Sequence, residues 1–308
     1  MPAAVAYSEP LDLDLPAWRA VLALRGEDRP FALVGAWAGG GAVLGARPLR
    51  YGEGAEVLEV IDDQPDVRAG DAVVGGGWFG YLGFQLGRAL ERLDAPPPAQ
   101  VSLPDAAIGF YDHVLRADAD GHWFFEALMT PEREAAILAR RDDLLSRLRA
   151  PLQPRPFGTH DWTWSPSPAA HAALVAACRE RIHHGDLFQA NLTLRLDGRI
   201  DGDALDLFAT AQRALPTDRA AFVAGPWGTV ASLSPELFLE RRGRTVRSAP
   251  IKGTRPQDER EELARSEKDR AENVMIVDLM RNDLGRVCAP GSVEAPVVAE
   301  VHPHAGVW

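Results

Sequence analysis

Two strand–turn–strand signals constrain this chain more than any other feature. Residues Ile108 to Ala117 alternate in polarity, turn at Asp118-Ala119-Asp120-Gly121 and return as His122 to Leu128. Aspartate and glycine favour a tight reversal, so the runs on either side of it read as a hairpin. A second hairpin runs from Ala221 to Gly225, turns at Pro226-Trp227-Gly228 and returns from Thr229 to Leu239. Thr245 to Ile251 follows as another strand, and Phe31 to Trp37 is an apolar run of strand length.

Helices stand beside these strands. Pro131 to Arg149 is an Arg- and Leu-rich helical pattern. Ser167 can cap the next helix and Pro168 suits its first turn; Leu174, Cys178 and Ile182 share one face, and Gly185 ends it. The last helix spans about Glu267 to Leu284, opened by a capping box of Ser266 and Asp269 and closed by Gly285. The pattern predicts an α+β fold with large, mostly antiparallel sheets and flanking helices. Two proline-rich stretches punctuate it. Asp94 to Pro104 reads as a surface loop, and Arg149 to Pro168 as a domain boundary or inter-domain crossing, giving regions 1–150 and 165–308.

Composition narrows the function classes. The formal net charge of -11 repels phosphate backbones and argues against nucleic acid as a partner. No apolar run approaches the length of a membrane span, and the acidic start MPAAVAYSEPLDLD lacks the features of a signal peptide. Cys178 and Cys288 are far apart and read as incidental thiols of a reduced protein, so the expected location is the cytoplasm.

Three places could carry chemistry. In SEKDRAENVMIVDLMRNDLG, Glu272 shares a helical face with Met275, Ile276 and Leu279. A carboxylate there is a candidate Mg²⁺ ligand, because hard cations take oxygen donors. An internal ion pair or a wet rim position explains it as well, and spacing alone favours those. In SAPIKGT, Ser248 to Thr254, Pro250 fixes the backbone and Gly253 admits a close ligand, with Lys252 between them. A desolvated lysine amine is a nucleophile, whereas a solvated lysine at a strand end is ordinary. In SLSPELFLE, Glu236 is a candidate general acid or a water-facing strand residue. The match of Gly75, Gly77 and Gly80 to GxGxxG lacks a surrounding βαβ unit and reads as close strand packing. His183 and His184 read as a cationic helix cap.

Four stretches, in order, carry a family resemblance: GDLFQANLTLRL from Gly185, SPELFLE from Ser234, APIKGTRP from Ala249, and EKDRAENVMIVDLMRNDLGRVCAPGSV from Glu267. With the looser GGGWFGYLGF and FYDHVLRAD, they resemble the chorismate-utilising enzymes, which include anthranilate, aminodeoxychorismate, isochorismate and salicylate synthases. Water-using members have a lysine base where this chain has Gln189, so the resemblance implies ammonia as the nucleophile. Anthranilate synthases have PIAGT where this chain has PIKGT, so Lys252 makes the chain similar to the large subunit of aminodeoxychorismate synthase. Anthranilate synthase component I is the alternative within the family.

The resemblance implies a reaction and its parts. Lys252 would attack chorismate while its hydroxyl leaves, with Glu236 as general acid. Ammonia would then displace the lysine to give 4-amino-4-deoxychorismate, for p-aminobenzoate and folate biosynthesis. Gly253, Thr254 and Gln189 would contact substrate, and Mg²⁺ would be held through Glu272. Neither cysteine sits in a nucleophile elbow, so the ammonia would come from a separate glutamine amidotransferase subunit. Relatives continue past EVHPHAGVW with a HLVS-like segment, a TGAPK segment and a second metal glutamate. The expectation is therefore a C-terminally truncated family member, an inactive fragment that binds only its glutaminase partner, or a fold completed by a second chain. The segment LPTDRAAF, Leu215 to Phe222, stands in place of the family's NPxPY, and LVGAWAGGGAVLG shows no tryptophan-pocket serine motif.

Overall fold

The computed structural model describes residues 3–68, 70–92, 94 and 101–308. Residues 95–100 of the proline-rich stretch that begins at Asp94 lie outside the described residues. In chain order the strands are β1 (Ala4–Leu11), β2 (Phe31–Gly35), β3 (Ala42–Gly45), β4 (Arg50–Glu53), β5 (Val67–Arg68), β6 (Gly77–Leu82), β7 (Ala106–Tyr111), β8 (His113–Ala117), β9 (Trp123–Met129), β10 (Gly158–Ser165), β11 (Arg195–Asp201), β12 (Arg219–Gly225), β13 (Gly228–Ser234), β14 (Leu237–Arg242) and β15 (Thr245–Ala249). The helices are α1 (Ala17–Ala20), α2 (Val57–Val60), α3 (Glu134–Arg149), α4 (Pro168–His184), α5 (Ala204–Ala214), α6 (Arg260–Arg265) and α7 (Glu267–Gly285). The fold is α+β. The chain divides into two compact units, Pro154–Leu207 and the remainder on both sides of it.

In the larger unit an eight-stranded sheet runs β13-β12-β2-β3-β8-β9-β1-β5. Its pairs are antiparallel except β1 with β5. Both expected hairpins form, with Ala117 opposite Trp123 and Gly225 opposite Gly228. Strands from both sides of the proline-rich stretch thus share one sheet. A three-stranded sheet, β4-β7-β6, lies in the same unit.

The run Ile108 to Ala117 is not one strand, however. It breaks at Asp112, so that β7 and β8 enter different sheets. The buried Asp112 carboxylate pairs with His113 Nδ1 at 2.8 Å and accepts from Arg133 Nε at 3.0 Å, which fixes the crossing. The run Thr229 to Leu239 also breaks. Pro235 has no N–H for a ladder, the Glu236 N–H turns to Ser234 Oγ at 3.1 Å, and β14 restarts in a two-stranded sheet with β15. β15 stops at Ala249, just before Pro250, and α3 begins at Glu134, beyond Pro131.

The core of the larger unit gathers Phe31, Val43, Tyr111, Val114 and Val223. The Phe31 ring stacks on Phe79 at 4.1 Å and meets Tyr111 edge-on at 4.7 Å. Each such buried side chain contributes about 1.5–3 kcal/mol. Glu126, on β9, is fully buried and accepts from Val74 N–H at 2.7 Å, Gly75 N–H at 3.0 Å and Arg116 Nε at 2.7 Å. The glycine run it holds packs tightly, since a Cβ on Gly76 would sit 2.4 Å from the Tyr111 carbonyl oxygen.

The unit Pro154–Leu207 pairs β10 with β11, Gly158 opposite Asp201 and Ser165 opposite Arg195. Helix α4 begins and ends where its signals fall. Ser167 Oγ accepts from Ala170 N–H at 3.3 Å, and the chain turns left-handed at Gly185. His184 Nδ1 bonds the Glu180 carbonyl at 2.8 Å, as a cap would. No residue of α4 is buried, and the shared face of Leu174 and Ile182 is exposed. Among the described residues, no helix is long and apolar enough to cross a membrane.

Candidate active site

The β14–β15 hairpin sets the site's frame by placing Leu237 opposite Ala249. That register brings Glu236, one residue before Leu237, beside the chain that leaves β15. The Glu236 carboxylate accepts the Ile251 N–H at 3.0 Å. An exposed carboxylate is thereby tied to the peptide that leads directly into the half-buried Lys252.

Gly253 follows with φ at +78°. A Cβ there would approach Asp269 Cβ at 2.9 Å and Leu263 Cδ1 at 3.0 Å, so both the backbone angle and the space require glycine. Asp269 lies in the first turn of α7, where its N–H donates to Ser266 Oγ at 3.2 Å. Its buried carboxylate accepts from Arg255 Nη2 at 3.0 Å. The same guanidinium donates from Nε to Glu262 at 3.1 Å and from Nη1 to the Thr254 carbonyl at 3.0 Å. The hydrogen bond to Glu262, with the charge of Asp269 behind it, raises the arginine's pKa further. The segment Lys252-Gly253-Thr254 is therefore fastened upstream through Glu236 and downstream through Arg255.

Glu272 lies three residues after Asp269, on the same side of α7, and is half-buried. The buried Asn273 beside it accepts the Ala299 N–H at 3.0 Å and ties the following chain to the helix. Gly285 is the last helical residue, and the chain leaves through Arg286 in the right-handed region, so this glycine is not a left-handed terminator. Thr254 is exposed. Gln189 is exposed in the other unit, between α4 and β11.

Sequence reasoning overlooked Arg255. Asp269 was visible only as a cap, and nothing in the spacing pairs it with an arginine fourteen residues earlier. Among the described residues, the His, Cys and acidic side chains close enough to share a metal ion are Asp118, Asp120 and His122 in the β8–β9 turn. There Asp118 accepts the N–H groups of Asp120 and His122 at 3.0 and 2.9 Å, which shapes the reversal.

The sequence profile of the chorismate binding enzymes matches residues 46–308. Aminodeoxychorismate synthase component 1 of Klebsiella aerogenes is 37% identical over 246 residues, which is 75% of this chain and 52% of that protein. The protein of the same name from Escherichia coli K12 is 34% identical over 270 residues, 82% of this chain and 57% of that one. Anthranilate synthase component 1 of Streptomyces coelicolor is 36% identical over 246 residues, 71% of this chain and 48% of its own length. The chain spans about half the length of these curated relatives. Among solved structures, anthranilate synthase component I of Streptococcus pneumoniae TIGR4 superposes with a TM-score of 0.65 at 22% identity, over 79% of this chain and 61% of that one. The menaquinone-specific isochorismate synthase of Escherichia coli superposes with a TM-score of 0.60 at 13% identity, over 91% and 63%. A match that includes the β14–β15 hairpin, the Lys252 loop and α7, on a fold shared with these enzymes, settles the family: this chain belongs to the chorismate binding enzymes.

Proposed function

We propose that the chain acts as an aminodeoxychorismate synthase large subunit, converting chorismate and ammonia to 4-amino-4-deoxychorismate for p-aminobenzoate and folate biosynthesis. The observation that carries this reading is the hydrogen bond from Ile251 N–H to Glu236, which sets a carboxyl group beside the Lys252 segment. The Lys252 amine forms a bond to C2 of chorismate as the ring double bond shifts and the C4 hydroxyl departs. Glu236 supplies the proton with which that hydroxyl leaves as water. Ammonia then adds at C4, the double bond shifts back, and the lysine is expelled with its electron pair. Two displacements replace one difficult substitution. Gly253 and Thr254 offer main-chain contacts to the substrate, and Gln189, neutral at working pH, leaves ammonia as the nucleophile.

Glu272 offers hard oxygen donors on the face of α7 that meets the Lys252 loop through Asp269, which suits Mg²⁺. When bound, the ion neutralises a substrate carboxylate. The relatives' designation as component 1 supports a separate glutamine amidotransferase as ammonia source, and the setting proposed is cytoplasmic.

The test supplies chorismate, Mg²⁺ and an ammonium salt to the purified chain. The expected product is 4-amino-4-deoxychorismate, and Lys252→Ala lowers its formation at least 100-fold, in the range for loss of a nucleophile's contribution. Formation of anthranilate instead would favour the function named for the Streptomyces coelicolor relative. Undiminished turnover by the Lys252→Ala protein would remove the covalent step.

A further inference from the structure

The segment from His304 to Trp308 folds against the chain that follows the Lys252 loop. His304 and Val307 exchange main-chain hydrogen bonds at 2.9 and 3.2 Å around Ala305-Gly306, a tight turn with Gly306 at φ 83°. The turn delivers Trp308 to Arg255. The Arg255 N–H donates to the Trp308 main-chain oxygen at 2.9 Å, and the Trp308 N–H donates to the Arg255 carbonyl at 2.8 Å. The Trp308 indole N–H reaches the Gln257 carbonyl at 2.8 Å. The Arg260 guanidinium stands 5.3 Å from the indole centroid, within cation–π range.

Trp308 therefore grips three residues, Arg255, Gln257 and Arg260, immediately downstream of Lys252-Gly253-Thr254. Arg255 is where the restraints meet. Its main chain is held by Trp308, and its side chain by Asp269 and Glu262. An arginine held on one side alone could swing about its own backbone, and the glycine two residues earlier would let the loop follow. Held on both sides, it fixes the exit direction of the loop. We propose that Trp308 is a positioning residue for Lys252, acting through Arg255 on where the lysine amine is presented. The consequence for turnover rests on the proposed function; the consequence for the loop's geometry does not.

The experiment uses the full chain with Trp308→Ala and Trp308→Phe. The first readout is amide hydrogen exchange, resolved by residue, at Ile251 to Gln257. The second is the rate at which trinitrobenzenesulfonate modifies Lys252, mapped by peptide mass. Trp308→Ala keeps the main-chain pair with Arg255 but removes the indole contacts that anchor it at Gln257 and Arg260. It is expected to speed exchange at Arg255 about tenfold, the scale of losing the indole hydrogen bond as an anchor, and to change the Lys252 modification rate. Trp308→Phe keeps a ring beneath Arg260 but has no N–H for Gln257, so it is expected to fall between. Unchanged exchange and modification in Trp308→Ala, with β7–β9 still protected, would overturn the proposal. If Trp308→Ala does not fold, Arg260→Ala removes only the stacking contact. It is expected to shift both readouts the same way by less, and no shift would again overturn the proposal. In turnover, positioning predicts a lower kcat with little change in KM for chorismate. A wild-type chain that turns over no chorismate would count against the proposed function alone, because exchange and modification still decide the role of Trp308.

Discussion

The strands β7 and β8 and the segment 234–308 belong to the same compact unit, yet they are held by different forces. Every residue of β7 and β8 is buried. Helix α7 buries only Asp269 and Asn273, both polar, while Val274 and Leu279 are about half exposed. The sheet is stabilised by apolar area removed from water. The site segment is held by discrete polar ties: Glu236 to Ile251, Arg255 to Asp269, Asn273 to Ala299. A tie between neutral groups contributes about 0.5–1.5 kcal/mol and one to a charged group about 1.5–3 kcal/mol, so three of them direct groups more than they stabilise the fold. A loop that must present an amine at a set place needs direction more than bulk stability.

The comparison is sharpest where the sheet breaks its own rule, at Glu126. This carboxylate is fully buried against Arg116 and three N–H groups, those of Val73, Val74 and Gly75. Its loss leaves a buried cation and three donors without their acceptor. Glu126→Ala is therefore expected to lower global stability by about 3–5 kcal/mol, read as a shift in the urea midpoint. A change below 1 kcal/mol would mean that the sheet does not depend on this centre and would weaken the contrast.

The site segment should respond differently. Gly253→Ala forces a side chain into the left-handed region and against Asp269, at a cost of about 1–2 kcal/mol for the backbone alone. Because the segment is tied rather than packed into the core, the cost should appear as faster amide exchange over 251–255. Protection in β7–β9 should be retained, with only a small change in urea midpoint. Equal loss of protection in both places would show one cooperative unit and remove the distinction.

What the sequence made legible follows the same division. Hairpins and helix starts were readable because turn residues and caps act locally: Asp118 to Gly121, Ser167, Pro168 and Ser266 fall where their chemistry demands. The break at Asp112 was not readable, because it depends on Arg133, twenty-one residues away. For the candidate site, the motif around Lys252 and Glu236 was visible, but their link depends on the register of β14 against β15. Neither Arg255 nor Trp308 carries a local signal; each matters through a partner distant in sequence. The exposed stripe on α4 marks a further limit, since periodicity identifies an apolar face and not whether this chain covers it.

The smallest effect expected is a change of slope with pH, and it probes the sheet through a polar group. Burial pushes the Asp112 carboxyl up, but the hydrogen bond and charge of His113, with Arg133 beyond, outweigh burial and hold it below its ordinary value. A carboxyl depressed in the folded state stabilises the protein above its unfolded pKa of about 3.9, and that stability is lost as pH falls through the lower folded value. The wild-type urea midpoint should therefore fall as pH drops below about 4. Asp112→Asn, which cannot titrate, should show a shallower fall over the same window, whatever its midpoint at neutral pH. Gly253→Ala should keep the wild-type slope, since it leaves every carboxyl in place. If Asp112→Asn kept the full slope, the crossing between the two sheets would owe its acid sensitivity to other carboxylates, and the polar fixing of that crossing would have to be read as packing alone.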